Sequence, residues 1–171
     1  MQMVKKVSLI FLGVWLALLL FMPKAELYYT LEKALATKDI TLNEKSINEG
    51  LFSLSVREIT VYVKGIALAK IDELNFFTLL FCSTLRIDNL IVDEALHAKV
   101  PALTQQAYVH HTLLSPLTLA VDANGSFGTV TGEIDLKNRE VQMNFVETKD
   151  ISMIQSSLTK SEKGWTYETS F

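Results

Sequence analysis

The residues that could perform chemistry are few and poorly spaced for it. The chain has three histidines, His97 and the adjacent pair His110 and His111. Because neighbouring side chains on a strand point to opposite faces, the pair is a poor metal site. Asp72-Glu73 and Asp93-Glu94 follow strand-like runs, a placement typical of solvated turns rather than of an acid–base pair. We therefore predict no catalytic residue, no metal site, no cofactor and no enzymatic activity.

The more informative side chains are apolar. Six phenylalanines lie on predicted strands or on the connections between them. They are Phe52, Phe76, Phe77, Phe81, Phe127 and Phe145. Either they form an ordinary sheet core, or they line an open apolar face that binds lipid or a partner protein. Cys82, the only cysteine, lies in the same apolar run as Phe81 and is predicted to be a small core residue.

Composition excludes nucleic acid as a partner. The chain has sixteen Lys and Arg residues and nineteen Asp and Glu residues, which gives a net charge of −3, and no basic patch stands out. The residues that follow the N-terminal segment are numerous enough for one domain with its own core.

The N-terminal segment predicts a membrane helix. Residues 7–22 carry no charge and lie between Lys5-Lys6 and Lys24. The chain around Pro23 has no small-residue cleavage pattern, so we interpret residues 1–23 as an uncleaved anchor, with Val7, Trp15 and Met22 in it. A cleaved signal peptide is the alternative.

The charge pattern predicts where the domain lies. Lys5 and Lys6 precede the apolar run, and positive charges stay in the cytoplasm. We therefore expect a single-pass protein of the bacterial inner membrane with its C-terminal domain in the periplasm.

Residues 24–38 predict an amphipathic helix that continues the membrane helix. Leu27, Leu31, Ala34 and Leu35 recur at helical spacing and give the segment one apolar face.

Residues 39–171 predict a β-rich domain, because apolar residues there alternate with polar ones. The apolar parity changes across Arg57-Glu58 and again across Asp88-Asn89, which indicates a bulge or bend at each place. The segments LSVREITV (54–61) and LRIDNLIV (85–92) align at this change, as in a short internal repeat.

Turn and helix signals complete the predicted architecture. Asn124-Gly125 predicts a hairpin turn, and Ile151, Ile154 and Leu158 share one face of a short helix. The predicted fold class is mainly β. A transmembrane helix runs into an amphipathic helix, and a curved antiparallel sheet with one short helix follows, as an open groove or half-barrel.

Three segments carry a family resemblance. They are VREITVYVKG (56–65), IALAKI (66–71) and TLL (78–80), and the glycine-interrupted hairpin 125–136 adds to them. In this pattern the chain resembles the type II secretion system protein N family and, more distantly, the AsmA/TamB-like proteins of the bacterial envelope.

The resemblance implies a non-enzymatic periplasmic β-module with an apolar groove. On this basis we expect a component of type II secretion-like envelope machinery, whose partners are the inner membrane and other envelope or secretion proteins. The alternative is an AsmA-like module that binds or transfers phospholipid between membranes.

Overall fold

The computed structural model describes residues 2–21, 23–79, 81–97, 100–149, 151–152, 154–161 and 164–171. Helix α1 spans Gln2–Phe21 and helix α2 spans Lys24–Ala36. An antiparallel sheet of eleven strands follows them, so the described chain is mainly β.

The length of helix α1 contradicts the predicted fold class and the predicted localisation. Among the described residues, no helix is long and apolar enough to cross a membrane. Lys5 and Lys6 lie inside α1, so its charge-free part is residues 7–21. That part rises by about 22 Å, against about 30 Å of hydrocarbon. The predicted transmembrane helix and the single-pass inner-membrane localisation are therefore wrong. The predicted periplasmic placement depended on that helix and is wrong with it.

The predicted anchor residues are not all described. Val7 lies on α1 with its side chain exposed. Trp15 is half-buried, and its ring stacks on Phe11 with 6.4 Å between ring centroids. Met22 lies outside the described residues.

The eleven strands cover most of the remaining chain. They are β1 (Ile40–Asn43), β2 (Ser46–Glu49), β3 (Ser53–Val63), β4 (Ile66–Leu79), β5 (Cys82–Val92), β6 (Leu103–Thr112), β7 (Ser115–Gly125), β8 (Gly128–Asp135), β9 (Glu140–Thr148), β10 (Thr159–Ser161) and β11 (Gly164–Ser170). Short 3₁₀ turns occupy Glu94–Leu96 and Gln155–Ser157.

The sheet is a meander from β3 to β9. Each of these strands pairs antiparallel with its neighbours in the sequence. β1 and β2 both pair with β3, and β11 lies between β9 and β10. The two outermost positions of the sheet are therefore held by short strands.

One face of the sheet is apolar over almost its full width. Because paired residues point to the same side, the register defines rows of side chains that cross the strands. The first row is Leu54, Phe76, Leu85, Val109, Val121, Gly132, Met143 and Tyr167. The second row is Val56, Leu74, Ile87, Ala107, Ala123, Val130, Phe145 and Trp165. We call this the apolar face. Seven strand spacings of about 4.8 Å make each row about 34 Å long.

A crease crosses β3, β4 and β5. Glu58 and Asn89 both have left-handed backbone conformations, with φ of 51° and 52°. The alternation of side chains restarts after each of them, so Val56 and Ile59 both lie in one buried cluster. The parity change predicted from the sequence is confirmed at both places.

Two clusters of buried residues lie at opposite sides of the sheet. The first contains Tyr28, Leu54, Val56 and Ile59, where α2 packs on β1, β2 and β3. The second contains Phe127, Val130, Phe145 and Ile151. Between the two clusters the side chains of the apolar face are only half-buried.

The hairpin turn next to the second cluster is not at Asn124-Gly125, where it was predicted. Both residues belong to β7, and the turn is Ser126-Phe127, with Phe127 buried in the cluster. Gly125 is required by close packing, because a Cβ there would lie 2.3 Å from the Leu103 carbonyl oxygen.

The predicted short helix is reduced to a 3₁₀ turn among the described residues. Its predicted apolar side chains still lie together, because Ile154 and Leu158 pack on the cluster that contains Ile151.

Candidate binding groove between helix α2 and the sheet

An apolar groove of about 310 Å³ lies between α2 and the apolar face. Helix α2 contributes Lys24, Leu27, Tyr28 and Leu31. The sheet contributes Leu42, Leu54, Ile59, Ile71, Leu74, Phe76 and Leu85. The groove therefore joins the first buried cluster to the half-buried middle of the sheet.

The way in which α2 packs leaves the groove open. Tyr28 is buried against the sheet, whereas Leu27 and Leu31 remain exposed along the groove. Of the apolar helix face predicted through Leu27, Leu31, Ala34 and Leu35, only Leu35 is half-buried, and the other three residues are exposed. Leu27 and Leu31 line the groove, so their exposed side chains are available to a ligand, whereas Ala34 lies outside the groove lining.

Tyr28 is the main polar group over the groove, and it is neutral. Its hydroxyl lies 3.5 Å from Glu44 Oε2. Burial raises the pKa of Tyr28 far above its ordinary value, and the negative charges of Glu44 and Glu32 raise it further. The groove therefore presents a phenol, not a phenolate, beside its apolar lining.

Lys24 lines the groove at the first turn of α2. Lys24 is buried, and its backbone N–H donates a 2.8 Å hydrogen bond to Glu49 Oε1. Glu49 thereby fixes the first turn of α2 to β2, and with it the position of the groove wall.

The apolar face continues beyond the groove as a shallow floor. Ala107 and Ala123 are adjacent in the second row, on β6 and β7, with the larger Ile87 and Val130 on either side. Gly132 occupies the first row, and a Cβ there would lie 2.3 Å from the Gln142 carbonyl oxygen. Small residues at the centre make this floor lower than its two sides.

The opposite face of the sheet is polar. Glu73 accepts hydrogen bonds from Ser55 Oγ at 2.8 Å and from Arg57 Nε at 3.1 Å. These two donors hold the pKa of Glu73 below its ordinary value. Next to them, Arg86 binds Asp88 and lies 5.6 Å from the centroid of the Tyr108 ring. The sheet therefore has one polar face and one apolar face.

The six predicted phenylalanines do not form one site. Phe76 lines the groove, but the adjacent Phe77 lies on the polar face and is 41% exposed. Phe81 is exposed in the turn between β4 and β5. Because consecutive strand residues point to opposite faces, Phe77 does not share the groove with Phe76, and Phe81 lies outside the groove in a turn. Partner or lipid binding by these two residues stays a prediction.

The other three phenylalanines lie on the apolar side at different places. Phe52 is half-buried just before β3, and its carbonyl oxygen accepts a 2.8 Å hydrogen bond from the Thr78 N–H. Phe127 and Phe145 are buried edge-to-face, with 6.4 Å between ring centroids. They form core, whereas Phe76 forms the groove.

Several groove residues were missed. Leu74 and Leu85 share the face of Phe76, and the period-two pattern around them could have identified both. Tyr28 carried no such signal, because its role depends on the contact between α2 and the sheet.

A second cavity of about 480 Å³ lies at the far end of β4, β5 and β6 and includes Lys70 and His97 in its lining. Its polar groups are used locally. His97 Nε2 donates to the Val92 carbonyl oxygen at 2.8 Å, and Asp93 accepts a hydrogen bond from the Ala95 N–H at 3.0 Å. This cavity is larger, but the local use of its polar groups leaves the apolar groove the better candidate.

The described residues hold no cluster of three or more His, Cys, Asp or Glu side chains that could bind a metal ion. His110 and His111 lie on opposite faces, as predicted. His110 stacks on Tyr108, and His111 lies near the Pro116 carbonyl oxygen. Cys82 is exposed, which corrects its prediction as a core residue.

Comparison with protein families, with curated proteins and with solved structures finds no match to this chain. The resemblance to the type II secretion system protein N family therefore stays a prediction.

Proposed function

We propose that the protein is a non-enzymatic binding module that holds the acyl chain of a phospholipid along the apolar face of its sheet. The observation that carries this proposal is the groove beneath α2 and its continuation as unbroken apolar rows. An acyl chain is long, flexible and apolar, and a face of this form buries such a chain without requiring polar partners.

The size of the groove supports a ligand that extends beyond it. A volume of about 310 Å³ lies at the lower end of the range for small-molecule sites. One part of the acyl chain would lie between α2 and the sheet, and the rest on the floor formed by Ala107 and Ala123. The headgroup would remain outside, because the floor residues carry no charge.

The test is lipid extraction and native mass spectrometry of the full chain after gentle purification. We expect near-stoichiometric phospholipid. Protein that carries no lipid, and that does not bind a fluorescent fatty acid after delipidation, would refute the proposal.

A second candidate function is a structural component of type II secretion-like envelope machinery. The observation that favours it is the edge at β11. β10 pairs only with Gly164, Trp165 and Thr166, so residues 167–170 have no strand on that side among the described residues. An extended segment of a partner protein could add there as a further strand.

A photo-crosslinking residue in place of Thr169 tests this second candidate, with Glu133 on the interior strand β8 as the matched control position. Crosslinks from position 169 alone to a secretion subunit would support it. Equal crosslinking from both positions would count against it.

A further inference from the structure

Large apolar side chains occupy the hairpin tips at one end of the sheet. The β2–β3, β4–β5, β6–β7 and β8–β9 connections all lie at this end, and the chain also ends there. We call their exposed side chains the apolar rim: Leu51, Phe81, Leu113, Leu114, Leu136 and Phe171. Leu114 is 96% exposed and Phe81 is 62% exposed. Six such residues at successive tips form a distinct surface, not scattered exposure.

The opposite end of the sheet differs. Its β3–β4 turn is Lys64-Gly65, and its β7–β8 turn buries Phe127. Ile66, Ile91 and Val146 are exposed toward this end but lie on strands, and Val100 lies in the β5–β6 connection. The apolar tips are therefore concentrated at one end.

Backbone hydrogen bonds fix the rim tips to one another. The Leu113 N–H donates to the Phe81 carbonyl oxygen at 2.8 Å. Likewise, the Phe171 N–H donates to the Arg139 carbonyl oxygen at 3.0 Å. The tips are thus held as one row that can meet a surface together.

The groove opens close to the rim. Phe76 and Leu85 lie only a few residues from the β4–β5 turn that carries Phe81. Helix α2 starts at the same end, since the Lys24 N–H binds Glu49, which pairs with Leu54 near the start of β3. A ligand that enters the groove from this end must pass the rim.

We infer that the apolar rim docks on the surface of a phospholipid bilayer. The row of protruding leucine and phenylalanine side chains can enter between the headgroups of a bilayer, one of the partners that an exposed apolar surface marks. Lys137 and Arg139 follow Leu136 in the β8–β9 turn and are exposed, so they can contact anionic phosphate. The choice of a bilayer rests on the proposed function, since a bilayer supplies the acyl chain.

The acids Asp135 and Glu140 flank these basic residues, so the turn presents both signs of charge beside the apolar rim. Asp135 accepts hydrogen bonds from the backbone N–H groups of Asn138 and Lys137, at 3.0 and 2.8 Å. These bonds hold the pKa of Asp135 below its ordinary value and direct its carboxylate into the turn.

The single cysteine allows a direct test. Cys82 is exposed beside Phe81 and can carry a polarity-sensitive fluorophore in the full chain. With vesicles of phosphatidylcholine and phosphatidylglycerol, we expect its emission to shift to the blue and to be quenched by brominated lipid. The control is Lys64→Cys in a Cys82→Ser background, which places the same probe at the opposite end and should show neither change.

Variants of the rim supply the second measurement. The double variant Phe81→Ser, Leu114→Ser should weaken the vesicle response at Cys82 by at least about tenfold, because two apolar side chains no longer leave water. Both side chains are exposed, so the fold should be retained.

Failure of the rim and failure of the groove are distinguishable. The double variant should still co-purify with the same amount of lipid if the rim docks and the groove binds independently. Equal responses from the probes at positions 82 and 64, or no loss in the double variant, would overturn the inference. A blue shift that depends on protein concentration without vesicles would instead indicate a second copy of the chain, and would also overturn it.

Discussion

Phe76 and Phe77 offer a sharp test of the groove, because they are adjacent, identical and on opposite faces of β4. We predict that Phe76→Ser weakens binding of a fluorescent fatty acid to delipidated protein. Phe77→Ser should leave binding unchanged, since its ring faces away from the groove.

The expected magnitude follows from the burial of Phe76. Complete burial of a phenylalanine side chain is worth about 1.5–3 kcal/mol. Phe76 is already half-buried without ligand, so the ligand adds about 1 kcal/mol through this ring. A serine hydroxyl trapped beneath an acyl chain costs about 1–3 kcal/mol more. The sum is about 2–4 kcal/mol, or about 30- to 800-fold in Kd.

The assay is a fluorescence titration of both variants and of the parent chain, with thermal unfolding of each as a check on folding. The reasoning is refuted if both variants weaken binding equally, or if Phe76→Ser binds within about threefold of the parent chain.

Three further predictions concern stability. Ile59 is 2% exposed and Ile66 is 64% exposed, so Ile59→Ala should cost about 2–5 kcal/mol in urea unfolding, whereas Ile66→Ala should cost less than about 0.5 kcal/mol. Similar costs would mean that α2 does not cover a true core. The folded chain keeps the Tyr28 proton above pH 10, where the unfolded chain begins to lose it, so stability should fall as the pH rises from about 10. Tyr28→Phe should make this fall shallower, and an unchanged slope would contradict the raised pKa. Lys64 and Gly65 have φ of 52° and 80°, as in a type I′ turn, so Lys64→Asn should raise the melting temperature. A lower melting temperature would contradict that turn assignment.

The local backbone pattern was predictable because it depends on neighbouring residues. The parity change at Glu58 and Asn89 could be seen as a shift in apolar spacing, and both residues have positive φ. The opposite directions of His110 and His111 followed from strand alternation alone. The same rule places Phe76 and Phe77 on opposite faces of β4.

Features that depend on long-range packing were not predictable in the same way. Helix α2 buries Tyr28 and leaves Leu27 and Leu31 exposed. Which side chains of the helix are buried depends on the sheet against which it packs. Asn124-Gly125 has the composition of a turn, but close packing of Gly125 on Leu103 keeps both residues in β7.

Helix α1 shows the limit of composition as a guide. An uncharged run predicted a membrane-spanning segment, yet within the described chain the helix ends at Phe21, and its apolar part is too short. Whether a helix can cross a membrane depends on the length of its apolar part. Sequence patterns define helix boundaries, and therefore this length, least well.

The meander from β3 to β9 has a consequence for how such a chain can change in evolution. Each strand is stabilised mainly by the strands next to it in the sequence, so stability adds up over adjacent pairs, as in repeat proteins. A duplicated hairpin could therefore be inserted while the other pairs keep their register. Residues 54–61 on β3 and 85–92 on β5 are similar, and each segment has a left-handed residue at the aligned position, Glu58 and Asn89, which fits such a duplication. Relatives with longer or shorter meanders would then differ in the length of ligand they hold, not in how they hold it.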